Sequence, residues 1–433
     1  MHLTNQILRK VTRKKVLGRL CLLNVLLLCF LTPLTSALPV FLPIDSYYYN
    51  LFLRFIYASL SIYIFIASFA HRESSYISVG GWLLGVFWII YSIRFLHDTL
   101  VEGLVIRGNI FKLYAITFGN CLMPALANLR AARYVDKLEA MTMIRGALIA
   151  SCVSVIIVMY KIHGTLNPAV LGRVRFTVES ESGSTYSILN SITIGFQGES
   201  MTLTALALLL FGQKSASGNF FNLLGLVLGL FTLLLSASRG PALGTAVGVF
   251  LMLITYLYYF KKTSLRLLKV GLFSFLSLIF TQLFIVPRLM AYNLTLFNRL
   301  GELSDNLSST GNGTREVRSY QWESALNMFL ENMIIGDRYL ERYANFYPHN
   351  VYLEVFMATG VVGAVFFYGM LFVAFYILLK CIWSKSSTVI LFWPFFAILM
   401  WMFTSGSIFE GVALWTFLTF WMGINTGVRS RIS

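Results

Sequence analysis

Charge is scarce in this sequence. Only 12% of its 433 residues are charged, and acids are the rarer sign, 18 against 34 bases. A soluble domain carries about a quarter charged residues, so an ordinary water-soluble fold is excluded. Cysteine is sparse too. The five cysteines (Cys21, Cys29, Cys121, Cys152, Cys381) lie in or beside apolar runs with no paired spacing, which excludes a disulfide framework and a zinc site. The polar segments hold no His/Asp/Glu cluster at metal-ligand spacing, so neither a metal nor a nucleotide cofactor is expected.

What the chain has in quantity is apolar sequence, 57% of its residues. Runs near the length that crosses a bilayer as a helix recur from end to end, and the rule gives about twelve spans. They are 20–43, 51–70, 76–96, 110–129, 139–160, 188–211, 219–237, 241–260, 267–286, 351–379, 388–408 and 410–427. The expected fold is an all-α polytopic membrane protein with three regions: helices over 1–286, one large loop over 287–350 containing short amphipathic helices, and helices plus a tail over 351–433.

The net charge of +16 would raise nucleic acid as a partner for a soluble protein. Here it falls where the positive-inside rule puts it, and no nucleic-acid partner is expected. Arg9, Lys10, Arg13, Lys14, Lys15 and Arg19 place the N-terminus in the cytoplasm. Alternation then puts the basic stretches 130–137 and 261–269, the Lys380–Lys385 turn and the Arg429–Arg431 tail on the same side. A basic stretch, an apolar core and Ser36-Ala37 also fit a cleaved leader, but the apolar run continues to Val40 and Phe41, which favours a retained first span.

The same alternation brings two distant features to the outer face: the turn Ser238-Arg239-Gly240-Pro241, and the long segment 287–348 that ends in Tyr347-Pro348-His349-Asn350. Arg239 closes one apolar run, and Pro241 suits the first turn of the next helix. An arginine at that depth needs water, protein or an anion. The long segment holds Arg288, Arg299, Arg315, Arg318, Arg338 and Arg342 and no lysine. The arginine fork grips phosphate oxygens bidentately where lysine cannot, so diphosphate recognition is one reading; pairing with the segment's own acids is the other. Apolar residues at near-helical spacing over Thr314–Leu330 predict an amphipathic helix with Arg315, Arg318 and Trp322 near one face. Asn350 suits the cap of the next helix, and Gly360 and Gly363 are spaced as small residues are where helices approach closely. Cations beside His349 would keep its ring neutral and able to take a proton from a hydroxyl. Glu302, Asp305, Glu316 and Glu410 are the rival bases.

His349-Asn350 followed by Gly360 and Gly363, the Ser238–Pro241 turn, and Arg318 four residues before Trp322 together resemble the O-antigen ligase family, as does the layout of spans around one large loop. Where that family shows a Gly-x-Gly turn ahead of the histidine, this chain reads Gly336-Asp337-Arg338-Tyr339. The resemblance implies a glycosyltransferase at the periplasmic face of the bacterial inner membrane. Its donor would be a glycan on undecaprenyl diphosphate, and its acceptor lipid A-core or another lipid-linked glycan. It implies His349 as general base and Arg239 on the diphosphate, helped by Arg318, Arg315 or Arg299, with Asn350 and Tyr352 lining the substrate site. Repeat-unit polymerase activity and a protein acceptor stay open within the superfamily. From another class, a secondary transporter would show repeated halves and charges at mid-depth. No repeat is visible, and Arg54, Arg94 and Arg145 do not pair across two halves.

Overall fold

The computed structural model describes residues 2–29, 46–69, 78–106, 109–162, 176–179, 185–189, 191–212, 216–236, 238–260 and 317–425. The helices are α1 (His2–Cys29), α2 (Ser46–Phe69), α3 (Val79–Leu100), α4 (Ile110–Tyr114, continued by a π-helical stretch Ala115–Leu122 into Met123–Ala131) and α5 (Lys137–Ile162). They continue with α6 (Ser191–Phe211), α7 (Ala216–Ser236), α8 (Arg239–Phe260), α9 (Val317–Glu331), α10 (Val351–Trp383), α11 (Phe392–Ser405) and α12 (Val412–Asn425). Among the described residues eight helices are long and apolar enough to cross a membrane, and two shorter apolar stretches, Gly218–Leu233 and Val412–Ile424, add to them. These account for all the expected spans but two. The expected span 20–43 is described only as far as Cys29, in a helix that begins at His2, and 267–286 lies outside the described residues.

The all-helical expectation needs one amendment. Strands β1 (Phe176–Glu179) and β2 (Thr185–Leu189) form a short antiparallel hairpin. The signal was present in the sequence: β-branched and aromatic residues on both sides of a Ser-Gly-Ser turn.

Glycines let α6 and α7 approach closely. A Cβ on Gly198 would meet the Gly229 carbonyl at 2.7 Å, and one on Gly229 would meet Thr202 Oγ1 at 2.6 Å. Across the bundle, α3, α10 and α12 share an aromatic core in which the rings of Phe87 and Phe367 lie 5.5 Å apart and those of Phe87 and Trp415 5.4 Å.

Helices α6 and α8 run in the same direction, and α11 runs opposite to them. The ends of α6 and α8 meet through Phe211 and Tyr259, whose hydroxyl bonds the Lys385 carbonyl. Their opposite ends meet the end of α11: a Cβ on Gly195 would touch Pro241, and one on Gly240 would lie 2.7 Å from Thr404 Oγ1. Arg19 bonds Glu139 at 2.7 Å, tying α1 to the start of α5.

The region expected to be one large loop is structured over 317–350; residues 287–316 lie outside the description. The amphipathic helix is present as α9. It lays Ala325 and Met328 on Met357 and Leu353 of α10. Gly360 requires a correction, because its space is filled by the main chain of Ile334–Gly336 rather than by a neighbouring helix. Gly360 has φ 60° and ψ −163° and breaks α10. At the break the backbone turns outward, and Val361 and Val362 N–H donate to the carbonyls of Met333 and Ile334 at 2.8 and 3.2 Å. Gly336 (φ +74°) lies against the main chain of Ala358. A single glycine with positive φ therefore makes the turn in the stretch where this chain departs from Gly-x-Gly.

Candidate active site

His349 sits between Pro348 and the helix cap. Asn350 has extended backbone, and its side chain accepts from Leu353 N–H at 3.2 Å, opening α10. His349 itself has φ 56°, the left-handed region, which costs a residue with a Cβ roughly 1–2 kcal/mol. Three contacts hold it there. Trp322 of α9 donates its indole N–H to the Pro348 carbonyl at 2.8 Å. The Tyr347 ring packs 4.5 Å from the imidazole and 5.7 Å from the Phe409 ring. The Phe346 ring lies 5.5 Å from the imidazole. His349 Nδ1 is buried without a hydrogen-bond partner. Burial first, and the charge of Arg318 second, pull the imidazole from its ordinary 6.5 down to about 4. The ring is therefore neutral near pH 7, as the sequence led us to expect, but burial outweighs the neighbouring cation as the cause.

Arg318, on the first turn of α9, points to the same corner. Its guanidinium donates to the Thr404 carbonyl at the end of α11 over 3.2 Å. Thr404 in turn abuts Gly240, in the turn that carries Arg239. Arg239 is the first residue of α8. The starts of α8, α9 and α10 and the end of α11 thus converge at one end of the bundle.

Behind His349, Glu354 is 0% exposed and accepts from Ser407 Oγ at 3.2 Å and Ile408 N–H at 3.0 Å. This clamps the segment 405–411 and seats Phe409 against Tyr347. Glu410, a rival base, rides on the same segment. Tyr352 donates its hydroxyl to the Leu399 carbonyl at 3.0 Å, and the Asn350 side chain is occupied by the cap.

The remaining predicted residues divide. Arg342 is held by Glu331 at 2.5 Å and Asp337 at 2.7 Å, which is the acid-pairing reading of the outer arginines. Arg338 Nε is buried without a hydrogen-bond partner. Arg288, Arg299, Arg315, Glu302, Asp305 and Glu316 lie outside the described residues. Among the described residues one group of potential metal-ligating side chains occurs where the sequence reading expected none: His97, Asp98 and Glu102, with ligand atoms within 4.8 Å of one another. Asp98 is already engaged there, accepting from Tyr339 N–H at 2.8 Å. Sequence reasoning missed Thr404, Phe409 and the clamp role of Glu354. Thr404 gives a main-chain carbonyl, for which no side chain is a signal.

Residues 224–368 match the family model described as O-antigen ligase. Over this segment the chain is similar to the O-antigen ligase family. The match covers about a third of the chain and supports a likeness to the O-antigen ligase/polymerase superfamily over that segment. No curated protein matches the chain. The matched segment begins within α7 and ends within α10, so it contains the Ser238–Pro241 turn, α9 and His349. Thr404, Phe409 and Glu410 come from the chain beyond it.

Proposed function

We propose that this protein belongs to the O-antigen ligase family and moves a glycan en bloc from undecaprenyl diphosphate to a sugar hydroxyl of lipid A-core, at the periplasmic face of the bacterial inner membrane, with both termini in the cytoplasm. The observation that carries the reading is a neutral, half-buried His349 beside Arg318, at the corner where the Arg239 turn meets α11.

In the proposed step His349 takes the proton of the acceptor hydroxyl. The freed oxygen attacks the anomeric carbon from the face opposite the diphosphate, a new glycosidic C–O bond forms, and the bond to the diphosphate oxygen breaks with inversion. Arg239 and Arg318 meet the charge growing on the departing diphosphate, with Arg315 or Arg299 as further candidates. In this reading the arginines supply the stabilisation a metal gives elsewhere, and the reaction draws its driving force from the lipid diphosphate ester. Asn350 and Tyr352 line the substrate site beside the histidine. The gathering of polar groups at helix ends supports an enzyme over a carrier, which would collect them at mid-depth.

Repeat-unit polymerase is the second reading, because it uses the same donor and the same proton transfer. The test is the glycolipid profile of the host with the gene deleted, then complemented with wild type or His349→Ala. Loss of surface polymer with accumulation of long lipid-linked polymer identifies a ligase; core bearing a single repeat identifies a polymerase. Full complementation by His349→Ala would remove His349 as the base and leave Glu410 or an outer-loop acid in its place.

A further inference from the structure

We propose that the turn Met333–Ile335 is a lipid anchor, inserted among the acyl chains at the outer boundary of the bilayer, although it belongs to the segment that reads as an aqueous loop. The side chains of Ile334 and Ile335 are 71% and 64% exposed, and Met333 and Leu330 beside them are exposed too. Such a group of apolar side chains on water would be costly, at about 25 cal/mol per Å² of apolar surface.

The main chain fixes the depth of the turn. It is bonded to α10 just past the Gly360 break, through Val361 N–H to Met333 O at 2.8 Å and Val362 N–H to Ile334 O at 3.2 Å. Over its 33 residues α10 is about 50 Å long, well beyond a hydrocarbon core of about 30 Å. The stretch after the break, Val361–Trp383, is about 34 Å long and carries its one charge, Lys380, near the far end. That stretch alone spans the core, so the break lies at the outer boundary and the turn lies level with it.

Two further observations agree. Val361, Val362, Val365 and Phe372 are exposed apolar residues along the spanning part of α10, so the face presented by the turn continues its lipid-facing flank. On the other side, Arg94 of α3 donates to the carbonyls of Ile335 and Gly336 at 3.4 and 3.1 Å. An arginine near a helix end lies at the headgroup level, where it can satisfy carbonyls that have no helical partner. The occupant that fits an apolar turn at this level is the acyl region of the surrounding lipid. This holds whether or not the chain transfers a glycan.

The test labels single cysteines at Ile334→Cys and, as an outer reference, Asn345→Cys with an environment-sensitive nitrobenzoxadiazole thiol probe. The full chain is reconstituted in phosphatidylethanolamine–phosphatidylglycerol vesicles, and unsubstituted protein gives the background of the native cysteines. The expected result at position 334 is a blue-shifted emission, quenched by lipids brominated on their acyl chains, most strongly when the bromine is near the glycerol, and insensitive to iodide. Position 345 should show the opposite pattern. Iodide quenching at 334 would overturn the proposal by placing the turn in water. Protection from both quenchers would overturn it equally, by placing a protein surface, such as a second copy of the chain, over the turn.

Discussion

The guanidinium of Arg318 reaches across the corner of the bundle to the main-chain carbonyl of Thr404, 3.2 Å away. A cation on the first turn of α9 is thereby fixed to the end of α11, beside the histidine whose charge it disfavours. Several consequences of this arrangement can be measured.

The first concerns pH. His349 is held at about 4, below its ordinary 6.5. Its base form therefore persists as the medium is acidified, and the acid limb of the transfer rate is expected near pH 4. The sign for stability follows from the same shift. Between about 6.5 and about 4 the unfolded chain binds the proton and the folded one does not, so the stabilising contribution is complete above 6.5 and is lost as pH falls towards 4. Initial rates of purified enzyme across this range check the limb, and a break near 6.5 would contradict the assignment. His349→Ala should lower the rate about 10²–10⁴-fold, the ordinary scale of general-base catalysis.

Removing the neighbouring charge gives a second, separable effect. Arg318→Gln should move the acid limb upward but leave it below 6.5, because burial is the larger cause of the shift. Arg318→Lys keeps the charge and loses the fork, so it should leave the limb in place while weakening donor binding about tenfold to a hundredfold. The readout is the pH profile set beside KM for the lipid-linked donor.

Glu354 offers a test of the framework. Glu354→Ala leaves the Ile408 N–H and the Ser407 hydroxyl buried without an acceptor, a cost of about 1–3 kcal/mol for each group. Thermal unfolding in detergent should show a clearly lower midpoint. Glu354→Gln, which retains one acceptor oxygen, should fall between the two.

The two glycines of α10 should respond unequally. At Gly360 a Cβ would lie 2.3 Å from the Ile334 carbonyl oxygen, in a backbone conformation that side chains avoid. Gly360→Ala should therefore cost at least about 1–3 kcal/mol. At Gly363 the backbone is helical, and a Cβ would meet the Thr359 side chain, Oγ1 at 2.1 Å and Cβ at 2.3 Å. Gly363→Ala should therefore be relieved by Thr359→Ala and Gly360→Ala should not, and relief of both would contradict a break specific to Gly360.

What the sequence disclosed and what it hid divide along physical lines. Apolar runs announced the spans, because nothing else explains them. Asn350 announced the start of α10, since an amide before an apolar run is a cap in waiting. The period of Val317, Tyr320, Ala325 and Leu326 announced α9. The hidden features are main-chain ones: the Thr404 carbonyl held by Arg318, the Ile408 N–H held by Glu354, and the carbonyls of Ile335 and Gly336 held by Arg94. A backbone group has the same chemistry at every position, so its role appears only when the fold selects it. Gly360 misled for a related reason. Spacing alone does not distinguish a glycine that admits a neighbouring helix from one that ends a helical run.

The clamp around Glu354 also sets an order of events during synthesis. His349, Arg318 and the Arg239 turn all precede α11 in the chain, but the carbonyl that fixes Arg318 and the donors that satisfy Glu354 emerge only with residues 404–408. A nascent chain that has released α10 and nothing beyond it carries the whole matched segment and a Glu354 carboxylate without those donors. The corner is completed when the last two helices arrive, so a chain truncated after α10 would keep the family's motifs and lack the site.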